Sequence, residues 1–172
     1  MKKETLAYLA GIMDADGFFT IKRNTYSVRI KKDSHNPTYQ ERVGIKQVCP
    51  EAIDIIHKNF GGYRRIDKPS AKNGKPLHSL GLSCRKAVAF INAIYPYLRI
   101  KKKQARILLR LRKSIDKGKQ KTTFSYHKNR WGKIAKIKRK SLSAKQVEYR
   151  ENLINRLNTL NDTRAIKEQW RK

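Results

Sequence analysis

The sequence predicts an α+β domain in which helices stack on one face of an antiparallel sheet, in the order αββαββα followed by further C-terminal helix. Three observations carry this. Four stretches alternate apolar and polar residues with the period of two of half-buried strands, and they come in two pairs split by turn-forming residues. Between and after these pairs, apolar residues recur at helical spacing. The length, 172 residues, suits one well-packed domain and is short for two. Within that single domain, 1–172, a core spans 1–116, a basic segment 117–143 and a C-terminal helical region 144–172.

The first element is Leu6 to Gly17, LAYLAGIMDADG. Read as a helix it is apolar on every side, through Leu6, Ala7, Tyr8, Leu9, Ala10, Ile12 and Met13. Such a helix is buried all round or crosses a membrane, and a span needs roughly 20 apolar residues. It is therefore expected between its own domain and something else. Gly11 costs about 1 kcal/mol relative to Ala, which suggests that another backbone approaches closely there. Asp14 and Asp16 stand at the C-terminal end, where the helix dipole disfavours carboxylates. A cation shared with a second copy of the helix is one way to offset them; an ordinary exit turn at Asp-Ala-Asp-Gly is the other reading.

In FFTIKRNTYSVRI, Phe19 and Ile21 alternate with Thr20, Lys22 and Asn24, and DSHNP (33–37) is turn chemistry. The partner strand TYQERVGIKQV places Val43 and Ile45 inward and Gln40, Arg42 and Lys46 outward. The pair forms a ribbon with a basic, amide-rich solvent face. Pro50 suits the first position of a helix carrying Ile53, Ile56 and Phe60, which Gly61-Gly62 ends. GYRRID and LHSLGLSC make the second hairpin, with Leu80 and Leu82 inward and Ser79 and Gly81 outward. Ser83 can cap a helix bearing Ala87, Phe90, Ile91 and Ile94, which Pro96 stops. A further helix starts near Lys101, with Ile107, Leu108, Leu111 and Ile115 as its stripe. From Lys117 to Lys140 no acid occurs, and basic residues mix with Phe124, Tyr126, Trp131 and Ile134, as in a solvated basic loop or a phosphate-contacting arm. Helical periodicity returns through Val147, Leu153, Leu157 and Leu160.

Lys and Arg number 42 against 13 Asp and Glu, a net charge of +29. A chain so basic makes sense beside a polyanion, and nucleic acid is the default partner. A membrane surface fits less well, because no long basic amphipathic helix is present. Cys49 and Cys84 form no CxxC pair, and His35, His57, His78 and His127 show no zinc spacing. Reduced thiols in an intracellular protein are expected. Lys2 and Lys3 before an apolar run mimic a signal peptide, but Asp14 breaks the run and no small-residue cleavage site follows.

The string LAGIMDADG (9–17) closely resembles the signature of the LAGLIDADG homing endonucleases and their maturase relatives. With one copy of the motif, the chain is similar to the members that work as homodimers. The resemblance implies a dimer face on the motif helix, at Leu9, Ala10, Gly11 and Met13, and a divalent metal, Mg²⁺, on Asp16 beside Ala15. It matches the family's strand-end glutamine to Gln47 in IKQV and its functional lysine to Lys101 in PYLRIKKKQA. LNDTR (160–164) is similar to a segment that contacts the DNA backbone, here through Arg164. Where some relatives carry an arginine after the Gln-bearing strand, this chain has Glu51. Asp14 is read as structural.

The expected activity is site-specific cleavage of double-stranded DNA, leaving short 3′ overhangs. A ribbon fits the major groove, which makes Thr20, Lys22, Asn24, Tyr26, Gln40, Arg42, Lys46, Arg65 and Asp67 the candidates for reading the target. A solvated polar strand face is the plain alternative for any one of them. Strand residues advance about 3.3 Å and base pairs about 3.4 Å, so two protomers would cover a roughly palindromic site of about 20 bp. An RNA maturase acting on an intron and a DNA-binding regulator without cleavage are the rival functions.

Overall fold

The computed structural model describes residues 1–24, 37–69, 74–118, 121–128, 132 and 134–162. Tyr26, the turn at 33–36, Trp131 and Arg164 lie outside the described residues. The elements are α1 (Lys3–Ala15), β1 (Phe18–Asn24), β2 (Thr38–Gln47), α2 (Glu51–Phe60), β3 (Tyr63–Asp67), β4 (Leu77–Ser83), α3 (Cys84–Ile94), α4 (Lys102–Lys117), β5 (Lys121–Lys128), β6 (Ile134–Ser141) and α5 (Ala144–Asn161). The order αββαββα of the sequence reading is present, and the class is α+β.

The four core strands form one sheet in the order β1-β2-β4-β3, with every neighbouring pair antiparallel. Strand period decides its two faces. Phe19, Ile21, Tyr39, Val43, Ile45, Leu80 and Leu82 point inward and are buried. On that side α3 and α4 lie against β2, α2 against β4, and α4 and α5 against β1. The helices contribute Ile53, Ile56, Ala87, Phe90, Ile91, Ile94, Leu108, Leu111, Leu153 and Leu157 to the same core. Phe60 meets Phe90 edge-on at 5.2 Å between ring centroids, a favoured aromatic geometry. Gly61 ends α2 at φ 71°, a left-handed conformation that a side chain would resist.

Polar residues pin the outer helices to the underside of the sheet. Glu41 is fully buried among the inward residues of β2 and accepts from Arg112 Nη2 of α4 at 2.6 Å. Tyr39 Oη donates to Glu151 Oε1 of α5 at 2.6 Å, and Arg23 Nε donates to the same oxygen at 2.6 Å. Burial, then the bond to Glu151, pushes the Tyr39 phenol up to about 12. Arg150 is buried beside the Tyr39 ring and donates to Ser114 Oγ and to the Ser114 carbonyl. α5 begins with a capping box, in which Ser143 and Gln146 satisfy each other's backbone N–H.

Several expectations change. Pro50 stands one place earlier than read, as the residue before α2. Ser83 does precede α3, but its hydroxyl makes no capping bond. The basic segment is not simply a loop: 121–141 holds a two-stranded antiparallel hairpin, β5–β6. Thr122, Phe124 and Tyr126 alternate as in a strand, but Ile134 and Ile137 fall in opposite phases of the lysine-rich β6, so the second strand shows no period of two. No helix among the described residues is long and apolar enough to cross a membrane.

The largest correction concerns α1. Leu9, Ala10 and Met13 are wholly buried in the protomer's own core, so they are not free to meet a second copy. The open side carries Ala7, Tyr8, Gly11 and Ala15. A Cβ on Gly11 would meet nothing within 4 Å, so no backbone of this protomer approaches it.

Candidate active site and nucleic-acid interface

The site is built where the C-terminal end of α1 meets the N-terminal end of α4. A helix leaves its last carbonyls and first N–H groups without partners. Here the two ends reach across to each other: Asp14 accepts from the segment leading into α4 and from its N-cap Lys101, and Lys101 donates to carbonyls at the end of α1. Asp14 Oδ2 accepts from the backbone N–H groups of Arg99 at 2.7 Å and Ile100 at 3.2 Å, and its Oδ1 from that of Lys101 at 2.8 Å. Lys101 Nζ in turn donates to the carbonyls of Met13 at 3.1 Å, Ala15 at 3.0 Å and Gly17 at 2.6 Å.

This clamp resolves two placements that look unfavourable in sequence. Asp14 opposes the dipole of its own helix, and Lys101 opposes that of α4. Each, however, lies on the favourable pole of the other helix. The partner of Asp14 is therefore protein backbone rather than a shared cation. Burial pulls the Lys101 ammonium below the ordinary lysine range, while the charges of Asp14 and Asp16 oppose that fall.

Asp16 caps α1 through its backbone N–H to the Ile12 carbonyl at 2.9 Å and holds its carboxylate in the open. Gln47, the last residue of β2, donates Nε2 to Asp16 Oδ2 at 2.9 Å. The three residues picked out in sequence thus converge, with Lys101 bonded to the carbonyls on either side of Asp16. The Ala15 carbonyl is occupied on one side by that ammonium. Glu51 opens α2 and is exposed. Among the described residues no three His, Cys, Asp or Glu side chains cluster as a metal cage. A single carboxylate with carbonyl oxygens beside it is a hard-oxygen donor set, and it suits Mg²⁺, which keeps waters and phosphate oxygens in its shell.

The sheet's other face starts at this corner. Register places Thr20, Lys22, Asn24, Thr38, Gln40, Arg42, Lys46, Arg65 and Asp67 on one side, opposite the buried residues. All the ribbon candidates among the described residues therefore share one surface, with Lys22, Arg42, Lys46 and Arg65 exposed. Phe18, Gly44, Gly81 and Tyr63 form a row across it. A Cβ on Gly44 would collide with the Phe18 ring, so that ring reaches over the strand at Gly44.

This architecture has solved counterparts. An archaeal intron-encoded homing endonuclease complexed with DNA aligns at a TM-score of 0.62 and 14% identity, over 93% of this chain and 86% of that one. The chain has the LAGLIDADG homing-endonuclease fold. The homing endonuclease I-CvuI, solved on a DNA target in the presence of Mg, aligns at a TM-score of 0.51 and 20% identity, over 67% of this chain and 69% of that one. No protein-family model and no curated protein matches the sequence. Within this fold the motif stretch is α1, and the candidate reading surface is the outer face of the β1-β2-β4-β3 sheet.

Sequence reasoning missed two features. The Asp14–Lys101 clamp joins residues 87 apart and leaves no local pattern. The buried Glu41–Arg112 pair had one signal: Glu41 falls in the inward phase of β2, with Tyr39, Val43 and Ile45.

Proposed function

We propose that the protein is a homodimeric, Mg²⁺-dependent, site-specific double-strand DNA endonuclease. The observation that carries this is the exposed Asp16 carboxylate, bonded to Gln47 and flanked by the Lys101 clamp, at the corner where a cationic, amide-rich sheet face begins. A binder without cleavage has no use for a carboxylate held toward phosphates, which repel it.

In this proposal two copies of α1 pair, and their C-terminal ends bring one Asp16 from each protomer to the symmetry axis. Asp16, with the Ala15 carbonyl beside it, would hold Mg²⁺. The bound ion would supply a lowered pKa for an attacking water and charge stabilisation for the leaving 3′-oxygen. Gln47 keeps the Asp16 carboxylate in one orientation and has its amide oxygen left to accept from water. Lys101 holds the end of α1 still and adds positive potential next to the scissile phosphate. Outer-face side chains read base edges, while phosphate contacts set register.

The test is incubation with a randomised duplex library and Mg²⁺, followed by sequencing of the new ends. The expected products share one roughly palindromic site of about 20 bp, the reach of two strand ribbons, cut to short 3′ overhangs. Intact DNA at every sequence would overturn the proposal.

The dimer has its own test at Gly11. Space around that Cα is open within the protomer, so Gly11→Leu leaves the fold alone and improves helix propensity. If a second α1 packs there, the added side chain costs about 1–3 kcal/mol by overpacking. The expected result in sedimentation is a folded monomer. A variant that sediments as an undisturbed dimer would place the interface elsewhere.

A further inference from the structure

Among the described residues of the sheet's outer face there is a single carboxylate, Asp67 at the end of β3. On a surface proposed to meet phosphates, a negative charge weakens binding, so its presence asks for a role. Its partners are well defined. Asp67 Oδ2 lies 2.8 Å from Lys46 Nζ, and Oδ1 lies 2.7 Å from Arg65 Nε. Arg65 is two residues back on the same strand, but Lys46 is on β2, beyond β4. In the register Lys46 stands opposite Ser79, and Ser79 opposite Arg65. The small Ser79 side chain lets the Lys46–Asp67 pair close over β4. The carboxylate sits low, 20% exposed, while Lys46 and Arg65 are 48% and 53% exposed. The cations therefore still face outward.

We infer that Asp67 is a specificity-determining positioning residue: it fixes Lys46 and Arg65 as one oriented cationic pair that reads guanine in the base pairs nearest the cut. This rests on the endonuclease reading above. Lysine and arginine recognise the O6 and N7 acceptors of guanine. Both are long, rotamer-rich side chains, and unless held they settle as readily on phosphates, which carry no sequence information. Lys46 directly precedes Gln47, the partner of Asp16, so this pair is the part of the reading surface next to the chemistry. The Lys46 hydrogen bond, with the Arg65 charge adding to it against a smaller opposing effect of burial, holds the Asp67 carboxyl below the ordinary aspartate range.

The experiment selects bound sequences from a randomised duplex pool without divalent metal, using the wild-type protein, Asp67→Asn and Asp67→Glu. The wild type is expected to prefer G·C by at least ~5-fold at one or two positions flanking the centre of the site, the scale of one good base contact. In Asp67→Asn that preference falls toward none, preferences at positions farther from the centre persist, and affinity for unrelated DNA rises as a negative charge is lost. Asp67→Glu restores most of the discrimination. A purely structural role would instead weaken all positions together and lower the thermal midpoint. Unchanged G·C preference in Asp67→Asn, or a uniform loss across the site, overturns this inference and leaves the endonuclease reading standing. A wild-type protein that selects no sequence at all would overturn both.

Discussion

Asp16→Asn is expected to abolish double-strand cleavage while DNA affinity without metal holds or rises slightly. The substitution keeps the size of the side chain and an oxygen that can accept from Gln47 Nε2, so the corner of the site should stay intact. What it removes is the negative charge that, in the proposed function, would offset a divalent cation, and with it the repulsion toward phosphates. Loss of one charge-stabilising group of this kind costs on the order of 10²–10³-fold in rate, and loss of the metal itself more. Single-turnover cleavage in Mg²⁺, beside binding across a salt series, separates the two effects. In the proposed homodimer, mixed dimers carrying one Asn should be impaired as well, since the paired carboxylates would meet at the axis. A homodimeric Asn variant that cuts near the original rate would remove Asp16 from the mechanism.

Asp14→Ala should produce the largest loss of stability from any single substitution at the site. Asp14 is 8% exposed and accepts from three backbone N–H groups. Its removal leaves those donors without partners at the start of α4 and takes away a counter-charge of the half-buried Lys101. Breaking a buried charged partnership costs about 3–5 kcal/mol, against a total stability of roughly 5–15 kcal/mol for a domain. The denaturant midpoint should fall accordingly with little change in slope. Asp16→Asn, on an exposed side chain, should move it by no more than about 0.5 kcal/mol. A shift under about 1 kcal/mol for Asp14→Ala would show that other groups satisfy the α4 terminus. The two neighbouring aspartates of one motif are thus expected to separate: Asp14→Ala should lower stability, and Asp16→Asn should remove cleavage.

Much of this protein was decided by sequence alone. Strand period assigned Lys22, Asn24, Gln40, Arg42 and Lys46 to one face and Phe19, Ile21, Val43 and Ile45 to the other, because a side chain's face in a strand follows from its parity. The motif and the two segments around Gln47 and Lys101 named the three residues that converge at the site. Tertiary structure decided the rest, for reasons that can be stated. An α1 that is apolar all round has no preferred side, so only the packing of α2 and α3 against it made Leu9, Ala10 and Met13 core and left Gly11 open. The β5–β6 hairpin was not legible in the sequence because β6 places Ile134 and Ile137 in opposite phases among its basic residues, and the strand signal depends on contrast between alternate positions. The Asp14–Lys101 clamp and the Lys46–Asp67–Arg65 group join charges from separate elements. A carboxylate at the wrong end of its own helix is a puzzle in one dimension. It becomes a cap only when the fold brings a second helix terminus to meet it.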